Sequence, residues 1–76
     1  MRKTLHSPDH AHMIASLRRF RKEAGLTQQQ VAARLGVPQS FVAKYERGER
    51  RLDVLEFVAV ARALEMEPRD LLNAII

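Results

Sequence analysis

The sequence predicts an all-α domain, a compact bundle of five short helices. Apolar residues recur at three- and four-residue steps, and glycine or proline interrupts the pattern at intervals typical of short helices. The chain has 76 residues, 46% of them apolar, and no cysteine. Such a length allows one domain, which apolar packing must hold together without disulfides or thiolate-bound metal. We predict a flexible arm over residues 1–7 and a folded domain over residues 8–76.

Capping residues locate the first two helices. Ser7 and Pro8 suit the cap and the first position of a helix that Gly25 ends, since glycine readily takes the left-handed conformation found after helices. Thr27 and Gln30 have the spacing of a capping box, in which each side chain bonds the backbone N–H of the other residue. We therefore expect a second helix to begin after Thr27.

The turn at Gly36 leads into a third helix over about residues 38–47. Val42 and Tyr45 lie three positions apart and form its inward stripe, so its remaining side chains face outward. Gly48 ends this helix. Two short helices joined by about three residues form a helix-turn-helix, whose second helix can enter the major groove of DNA.

A second capping box, Asp53 with Glu56, begins a fourth helix that runs to Leu64. Pro68 marks the start of a fifth helix. We predict that the fourth helix buries one face, made of Val54, Phe57, Val60, Ala61 and Leu64.

Further apolar residues lie off that face or near the end of the sequence, and a domain of this size cannot bury them all. We expect them to form a homodimer interface. These residues are Leu55, Val58, Leu72, Ile75 and Ile76. In an alternative arrangement, the last two fray or fold back over the core.

Positive charge is concentrated in the first two thirds of the chain. The formal net charge is +4, with eleven basic and four acidic residues over positions 1–52 and two and five over positions 53–76. A basic region of this kind predicts a polyanionic partner, either nucleic acid or an anionic membrane surface. We expect no membrane span, because no apolar run approaches the roughly 18 residues that one needs. Binding to a membrane surface is disfavoured because the positive charges sit on a polar helix without an adjoining aromatic face. The first residues also lack the apolar centre of a signal peptide, so we expect a cytoplasmic protein.

One ordered set of residues is highly specific: Arg21, Gly25-Leu26-Thr27-Gln28, Val31-Ala32, Leu35-Gly36-Val37, Ser40, Val42 and Tyr45-Glu46-Arg47-Gly48. This set resembles the Cro/phage-repressor (xenobiotic-response-element) family of helix-turn-helix regulators, over roughly residues 14–72. Two positions depart from the family pattern. Pro38 lies where a capping Ser, Thr or Asp is common, and Glu65 lies where a helix-ending Gly is usual.

The resemblance implies a set of DNA contacts. Gln28 would contact phosphate and brace the third helix, while Gln39 and Ser40 would enter the major groove, where a glutamine amide can pair with adenine. Lys44 would reach guanine or a phosphate. Phe41 would either press against thymine methyls or pack under a loop or at a dimer contact. Backbone contacts would come from the basic residues Arg47, Arg50 and Arg51.

The resemblance also pairs Arg21 with Glu46 in a partly buried salt bridge. A guanidinium can hold a carboxylate through two parallel hydrogen bonds. Our hypothesis is that this pair locks the third helix to the first and does not touch DNA.

The sequence gives little support for metal binding, catalysis or a bound cofactor. His6, His10 and His12 are close in sequence but do not share a helix face, so we predict no metal site. No serine has a convincing base, and no glycine-rich phosphate loop occurs, so we predict neither an enzyme nor a bound cofactor.

The favoured function is therefore a small homodimeric regulator of transcription, most simply a repressor, that binds an inverted-repeat DNA operator in the cytoplasm of a bacterium or of a phage-infected cell, associated with the nucleoid when bound. One alternative is an antitoxin that represses its own operon and also binds a protein toxin. A third reading, a protein-interaction module that has lost DNA binding, predicts an eroded basic face, whereas here that face is intact.

Overall fold

The computed structural model describes residues 7–76, which form five α-helices and no strand. They are α1 (Pro8–Glu23), α2 (Gln28–Leu35), α3 (Gln39–Glu46), α4 (Val54–Ala63) and α5 (Pro68–Ile75). This architecture confirms the all-α prediction, and the predicted ends of α3 and α4 are each within one residue of those observed. Residues 1–6 of the predicted arm lie outside the described residues.

Each predicted cap is present. The Ser7 hydroxyl accepts a hydrogen bond from a backbone N–H in the first turn of α1. In the first capping box, Thr27 and Gln30 bond each other's backbone N–H at 3.1 and 2.8 Å. Asp53 and Glu56 do the same at 2.7 and 2.9 Å. Local hydrogen bonding therefore sets where α1, α2 and α4 begin.

The ends of α1 and α4 have the same backbone geometry but different residues. Gly25 follows α1 with φ 74°, and Glu65 follows α4 with φ 62°. At both ends the next backbone N–H bonds back to a carbonyl five residues earlier, from Leu26 to Arg21 and from Met66 to Ala61. This is a Schellman ending, which requires a left-handed residue. Glu65 thus adopts a conformation that costs a residue with a side chain more than it costs glycine.

The core lies where the inner faces of all five helices meet. α3 packs against α1 and α2, α4 packs against α2 and α5, and α5 returns to α1. The buried apolar residues of the core are Ile14, Leu17, Val31, Ala32, Val42, Tyr45, Val60, Ala61, Ala63, Leu64 and Leu71. This arrangement holds α3 from one side only.

The predicted inward face of α4 was wrong at its first residue. Val54 is 78% exposed, and Ala63 contributes to the core at the other end of the helix. Val54 continues the stripe of Phe57 and Val60 in helical register. However, it is the first residue of α4, and its side chain is not covered by the core. Register alone cannot show where a neighbouring helix stops.

Candidate nucleic-acid interface

The two faces of α3 differ in exposure. Val42 and Tyr45 point into the core and are almost completely buried, whereas Gln39, Ser40 and Lys44 are exposed. Because α3 packs only on its inner side within residues 7–76, this outward row of amide, hydroxyl and ammonium groups is open. Such groups are the ones that read base edges in a major groove.

A chain of hydrogen bonds ties Gln39 to α2. Gln39 Nε2 donates to Gln28 Oε1 (3.3 Å), and Gln28 Nε2 donates to Glu46 Oε1 (3.0 Å). Because a carboxylate only accepts hydrogen bonds, Glu46 fixes which end of the Gln28 amide is nitrogen, and the Gln28 oxygen then faces Gln39. The Gln39 oxygen and its second N–H stay available. These are the two groups that a bidentate contact with adenine uses.

Arg21 of α1 holds Glu46 in turn. Its Nε and Nη2 donate to the two oxygens of the Glu46 carboxylate at 2.6 and 3.0 Å, and Nη1 donates to the Leu26 carbonyl oxygen at 2.9 Å. The side chains of Arg21 and Glu46 are only 10% and 3% exposed. The hydrogen bond to Glu46 raises the pKa of Arg21, although burial acts in the opposite direction. This ion pair connects the end of α3 to the last turn of α1.

Phe41 and Arg50 pack against each other. The guanidinium carbon of Arg50 lies 4.1 Å from the centroid of the Phe41 ring, and that ring meets Tyr45 edge-on at 6.0 Å. Arg50 also donates to both carboxylate oxygens of Glu56 (3.0 and 2.8 Å) and to the Arg51 carbonyl oxygen (2.7 Å). The hydrogen bonds between Arg50 and Glu56 lower the pKa of Glu56 and raise the pKa of Arg50. In the free protein Phe41 is thus half-buried beneath Arg50.

The remaining basic side chains of this segment lie at the surface. Arg47 donates two hydrogen bonds to Glu49 (3.1 and 3.2 Å) in an exposed ion pair. Such a pair contributes only about 0–1 kcal/mol, so a phosphate can replace the carboxylate at little cost. Lys44 and Arg51 are exposed and form no ion pair within residues 7–76.

The structure adds one residue that the sequence analysis missed. Arg18 of α1 lines a shallow depression of about 200 Å³ together with Gln28, Ala43, Glu46 and Arg47. The signal available in the sequence was its spacing from Arg21. A residue three positions earlier lies on the same side of a helix, so the inward direction of Arg21 also places Arg18 next to α3.

The predicted dimer residues lie on α4 and α5 and beyond. Leu55 is 80% exposed, Leu72 is 48% exposed, and Ile76 is exposed as well. Val58 and Ile75 are half-buried, and Ile75 packs against the core. The most exposed apolar side chains of the described chain are therefore on these elements and not on α3.

Metal ligands and membrane spans are not found in the part of the chain that the structure describes. No group of three or more His, Cys, Asp or Glu side chains in residues 7–76 is placed to hold a metal ion. His10 and His12 lie in α1, and His6 falls outside the described residues. None of the described helices is long and apolar enough to cross a membrane.

These features define a helix-turn-helix DNA-binding domain: α2 and α3 form the motif, α3 presents polar groups outward, and basic residues flank it. A family model for the helix-turn-helix matches residues 17–71. The chain therefore belongs to the helix-turn-helix family of DNA-binding transcriptional regulators, and its relatives place it with the Cro/phage-repressor, or XRE, type.

Solved structures share the fold over most of the chain. An XRE-family-like protein from Pseudomonas syringae pv. tomato is 44% identical, with a TM-score of 0.87 over 95% of this chain and 88% of that one. The restriction-modification controller protein C.AhdI from Aeromonas hydrophila is 35% identical, with a TM-score of 0.76 over 83% of this chain and 96% of that one. A more distant controller, C.Esp1396I, was solved as a tetramer on its natural 35 base-pair operator. At 20% identity and a TM-score of 0.79, over 92% of this chain and 97% of that one, it shows the fold alone.

Two regulators from Sinorhizobium fredii also match. The uncharacterized HTH-type transcriptional regulator y4dJ is 44% identical over 46 residues, which are 60% of this chain and 60% of that protein. A second, y4dL, is 35% identical over 68 residues, which are 84% of this chain. The match spans only 35% of the length of y4dL.

Proposed function

We propose that this protein is a homodimeric, sequence-specific regulator, most simply a repressor, that inserts α3 into the major groove of an inverted-repeat operator. The observation that carries the proposal is the outward row of Gln39, Ser40 and Lys44 on a helix whose opposite face is buried. Base readout requires donors and acceptors held in place by a rigid scaffold. The buried face of α3 supplies that scaffold.

Base contacts fall to the exposed side chains of α3. Gln39 arrives with one N–H already bonded to Gln28, so its free oxygen and second N–H suit the N6 and N7 atoms of adenine. Ser40 can donate to or accept from either kind of base pair. Lys44, one turn further along α3, suits the acceptors of guanine or a neighbouring phosphate.

Phosphate contacts fall to the residues around these. Gln28 lies in the first turn of α2, where backbone N–H groups and the helix dipole favour an anion. Arg47 and Arg51 lie after α3 and carry exposed guanidinium groups. Arg50 differs because its guanidinium is bonded to Glu56 and covers Phe41. Arg50 and Phe41 reach DNA only if Arg50 exchanges the carboxylate of Glu56 for a phosphate.

The proposed dimer forms through α4 and α5. Val54, Leu55 and Leu72 are exposed on helices whose other sides already form the core, and water contact with these side chains is unfavourable. A two-fold axis through this surface would set two recognition helices roughly 34 Å apart, in successive major grooves. The operator would then be an inverted repeat with half-sites about 10–11 base pairs apart.

In this proposal the chain acts by binding DNA alone. We propose no catalytic activity and no cofactor, and we place its action at DNA in the cytoplasm. The arm over residues 1–7 and the domain over residues 8–76 remain our proposed division of the chain.

The decisive experiment is selection of bound fragments from genomic DNA with the purified protein. We expect enrichment of one inverted repeat. We also expect a slope of log K against log salt of roughly −5 to −7, from three or four phosphate contacts in each subunit. Recovery of no shared repeat, or a slope near zero, would contradict the proposal.

Oligomeric state is tested separately by sedimentation. Leu55→Glu is expected to give a folded monomer, because the new charge would be buried at the interface. Ala33→Glu introduces the same charge at an exposed position of α2 and should leave the dimer intact. Sedimentation on DNA would distinguish one dimer per operator from two. A stable complex with a second protein during purification from the host would favour the antitoxin alternative.

A further inference from the structure

A basic depression lies beside the recognition helix, and one of its lining residues, Arg18, is not among the DNA contacts assigned above. It occupies about 200 Å³ and is lined by Arg18, Gln28, Ala43, Glu46 and Arg47. Its walls thus come from α1, α2, α3 and the turn after α3. Ala43 is its only apolar lining residue, and the remaining side chains are charged or carry an amide.

The charges around this depression favour an anion. Arg18 is exposed and forms no ion pair within residues 7–76. The carboxylate of Glu46 is covered, since Arg21 and Gln28 occupy its oxygens and its side chain is only 3% exposed. Arg47 is held only by the exposed Glu49. Two guanidinium groups therefore face one small space with no open carboxylate among its lining residues.

The depression continues into a longer groove along α1. This groove, of about 890 Å³, shares Arg18, Glu46 and Arg47 with the depression and extends to Lys22 and Gly48. The groove is also lined by the acidic Glu23 and by apolar residues such as Ile14, so basic side chains continue along α1 among acidic and apolar ones. A polyanion that follows the edge of α3 would meet the basic side chains at the near end of this groove.

We propose that Arg18 is a further DNA-contacting residue, which with Arg47 and Gln28 binds one phosphate of the operator backbone. This inference rests on the proposed function and deepens it. A guanidinium presents a planar fork of donors that matches a phosphate. Insertion of α3 into a major groove brings the flanking sugar-phosphate backbone to the edges of that helix, where the depression opens beside Ala43.

The occupant is a phosphate of DNA and not an acidic protein. The depression is small, mostly polar and without an aromatic lining residue, whereas stable protein interfaces place apolar and aromatic side chains at their centre. It also borders Gln28 and α3, which the proposed function already sets against DNA. An acidic partner protein would leave DNA binding independent of Arg18.

The test compares Arg18→Gln with Arg62→Gln on the selected operator. Both changes remove one positive charge from an exposed position, but Arg62 lies on α4, away from α3. Because α4 also carries the proposed dimer surface, slopes are compared only after both variants are shown to sediment as the wild type does. Each dimer of Arg18→Gln should lose the Arg18 contact at two phosphates, which Arg47 still reaches. Its salt slope should therefore be less steep by up to about 1.8, while the control keeps the slope of the wild type. The ratio of operator to scrambled-sequence affinity should stay the same, because a phosphate contact carries no sequence information.

Two further measurements sharpen the result. Arg18→Lys keeps the charge and should retain most of the slope. Phosphate ethylation interference should show one position per half-site at which ethylation weakens binding of the wild type strongly and binding of Arg18→Gln less. Circular dichroism melting is expected to be the same for all of these variants, because Arg18 is exposed.

The outcomes separate the two proposals. If the wild type binds DNA and the salt slopes of Arg18→Gln and Arg62→Gln are equal, the role of Arg18 is overturned and the proposed function stands. A wild type that binds no DNA would overturn the proposed function, and this inference with it.

Discussion

Gln28 on α2 donates a 3.0 Å hydrogen bond to the carboxylate of Glu46 at the end of α3, and this contact orients the amide that Gln39 meets. Glu46 is itself fixed by Arg21. The direction of the exposed Gln39 side chain thus depends on the buried ion pair of Arg21 with Glu46, to which Gln39 is linked only through Gln28.

Gln28→Ala should reduce base discrimination at one position in each half-site by roughly tenfold. A bidentate base contact contributes about 1–3 kcal/mol of discrimination, and Gln39 would lose the partner that orients it. The measurement is the affinity for operators that carry single base changes. Gln29→Ala, at the exposed neighbouring position, is the control. A uniform loss of affinity for all sequences would show that Gln28 contacts phosphate only.

Glu46→Gln should destabilise the protein by about 3 kcal/mol, because it leaves the Arg21 guanidinium without its charge partner in a largely buried site. Thermal unfolding followed by circular dichroism measures the loss. Glu49→Gln removes a carboxylate from an exposed pair with Arg47 and should change stability by at most about 1 kcal/mol. If the two variants melted alike, the ion pair of Arg21 with Glu46 would have no structural role.

Glu65→Gly should stabilise the protein by about 0.5–1 kcal/mol, since φ at this position is left-handed and glycine adopts it without strain. Glu65 also forms an exposed ion pair with Arg34 at 2.9 Å, which the change removes. Glu65→Gln separates the two effects, because it removes the charge and keeps a side chain on the left-handed backbone. We expect a slightly lower Tm for Glu65→Gln and a higher one for Glu65→Gly. A lower Tm for both would contradict the strain argument.

The ion pair of Arg50 with Glu56 should contribute to stability above the ordinary carboxyl pKa of 4.5 and lose its contribution as pH falls. The hydrogen bonds from Arg50 lower the pKa of Glu56, so the folded state binds the proton less tightly than the unfolded state does, and acid favours unfolding. Glu56→Gln keeps the side-chain oxygen that caps α4 and removes the charge. Its free energy of unfolding should approach that of the wild type as pH decreases from 7 to 3. A constant difference across this range would contradict the prediction.

Tyr45 should make the protein sensitive to alkali. Burial raises its pKa above the ordinary 10.0, so the folded state retains a proton that the unfolded state releases. Its contribution to stability is therefore complete below pH 10 and declines above it. Tyr45 is the only tyrosine, and the chain has no tryptophan, so tyrosinate absorbance reports this residue alone. Tyr45→Phe should weaken the alkaline loss of stability, and an unchanged loss would assign it to other groups.

Local features of the fold were predictable because neighbouring residues determine them. Ser7, Thr27 and Asp53 cap helices through hydrogen bonds that span three residues, and Val42 with Tyr45 shows the buried side of α3 through spacing alone. Such contacts depend on the chain within one helical turn.

Other features depended on which elements meet. Val54 follows the register of α4 and is still exposed, because register within one helix does not show which of its turns other elements cover. The family resemblance implied that Arg50 contacts the DNA backbone, and the structure shows it stacked on Phe41 and bonded to Glu56. The positive charge of an arginine predicts that it pairs with an anion, but it does not identify which anion lies within reach.

Composition, caps and helical spacing therefore established an all-α helix-turn-helix domain with a basic recognition segment, because these properties belong to single helices. The contacts among helices decided how that segment is presented. Gln39 is oriented through Gln28 and Glu46 by a residue of α1, and Arg18 of that same helix lines a depression beside α3. These residues are separated by up to 28 positions in the sequence and come together only when α1, α2 and α3 pack around one core.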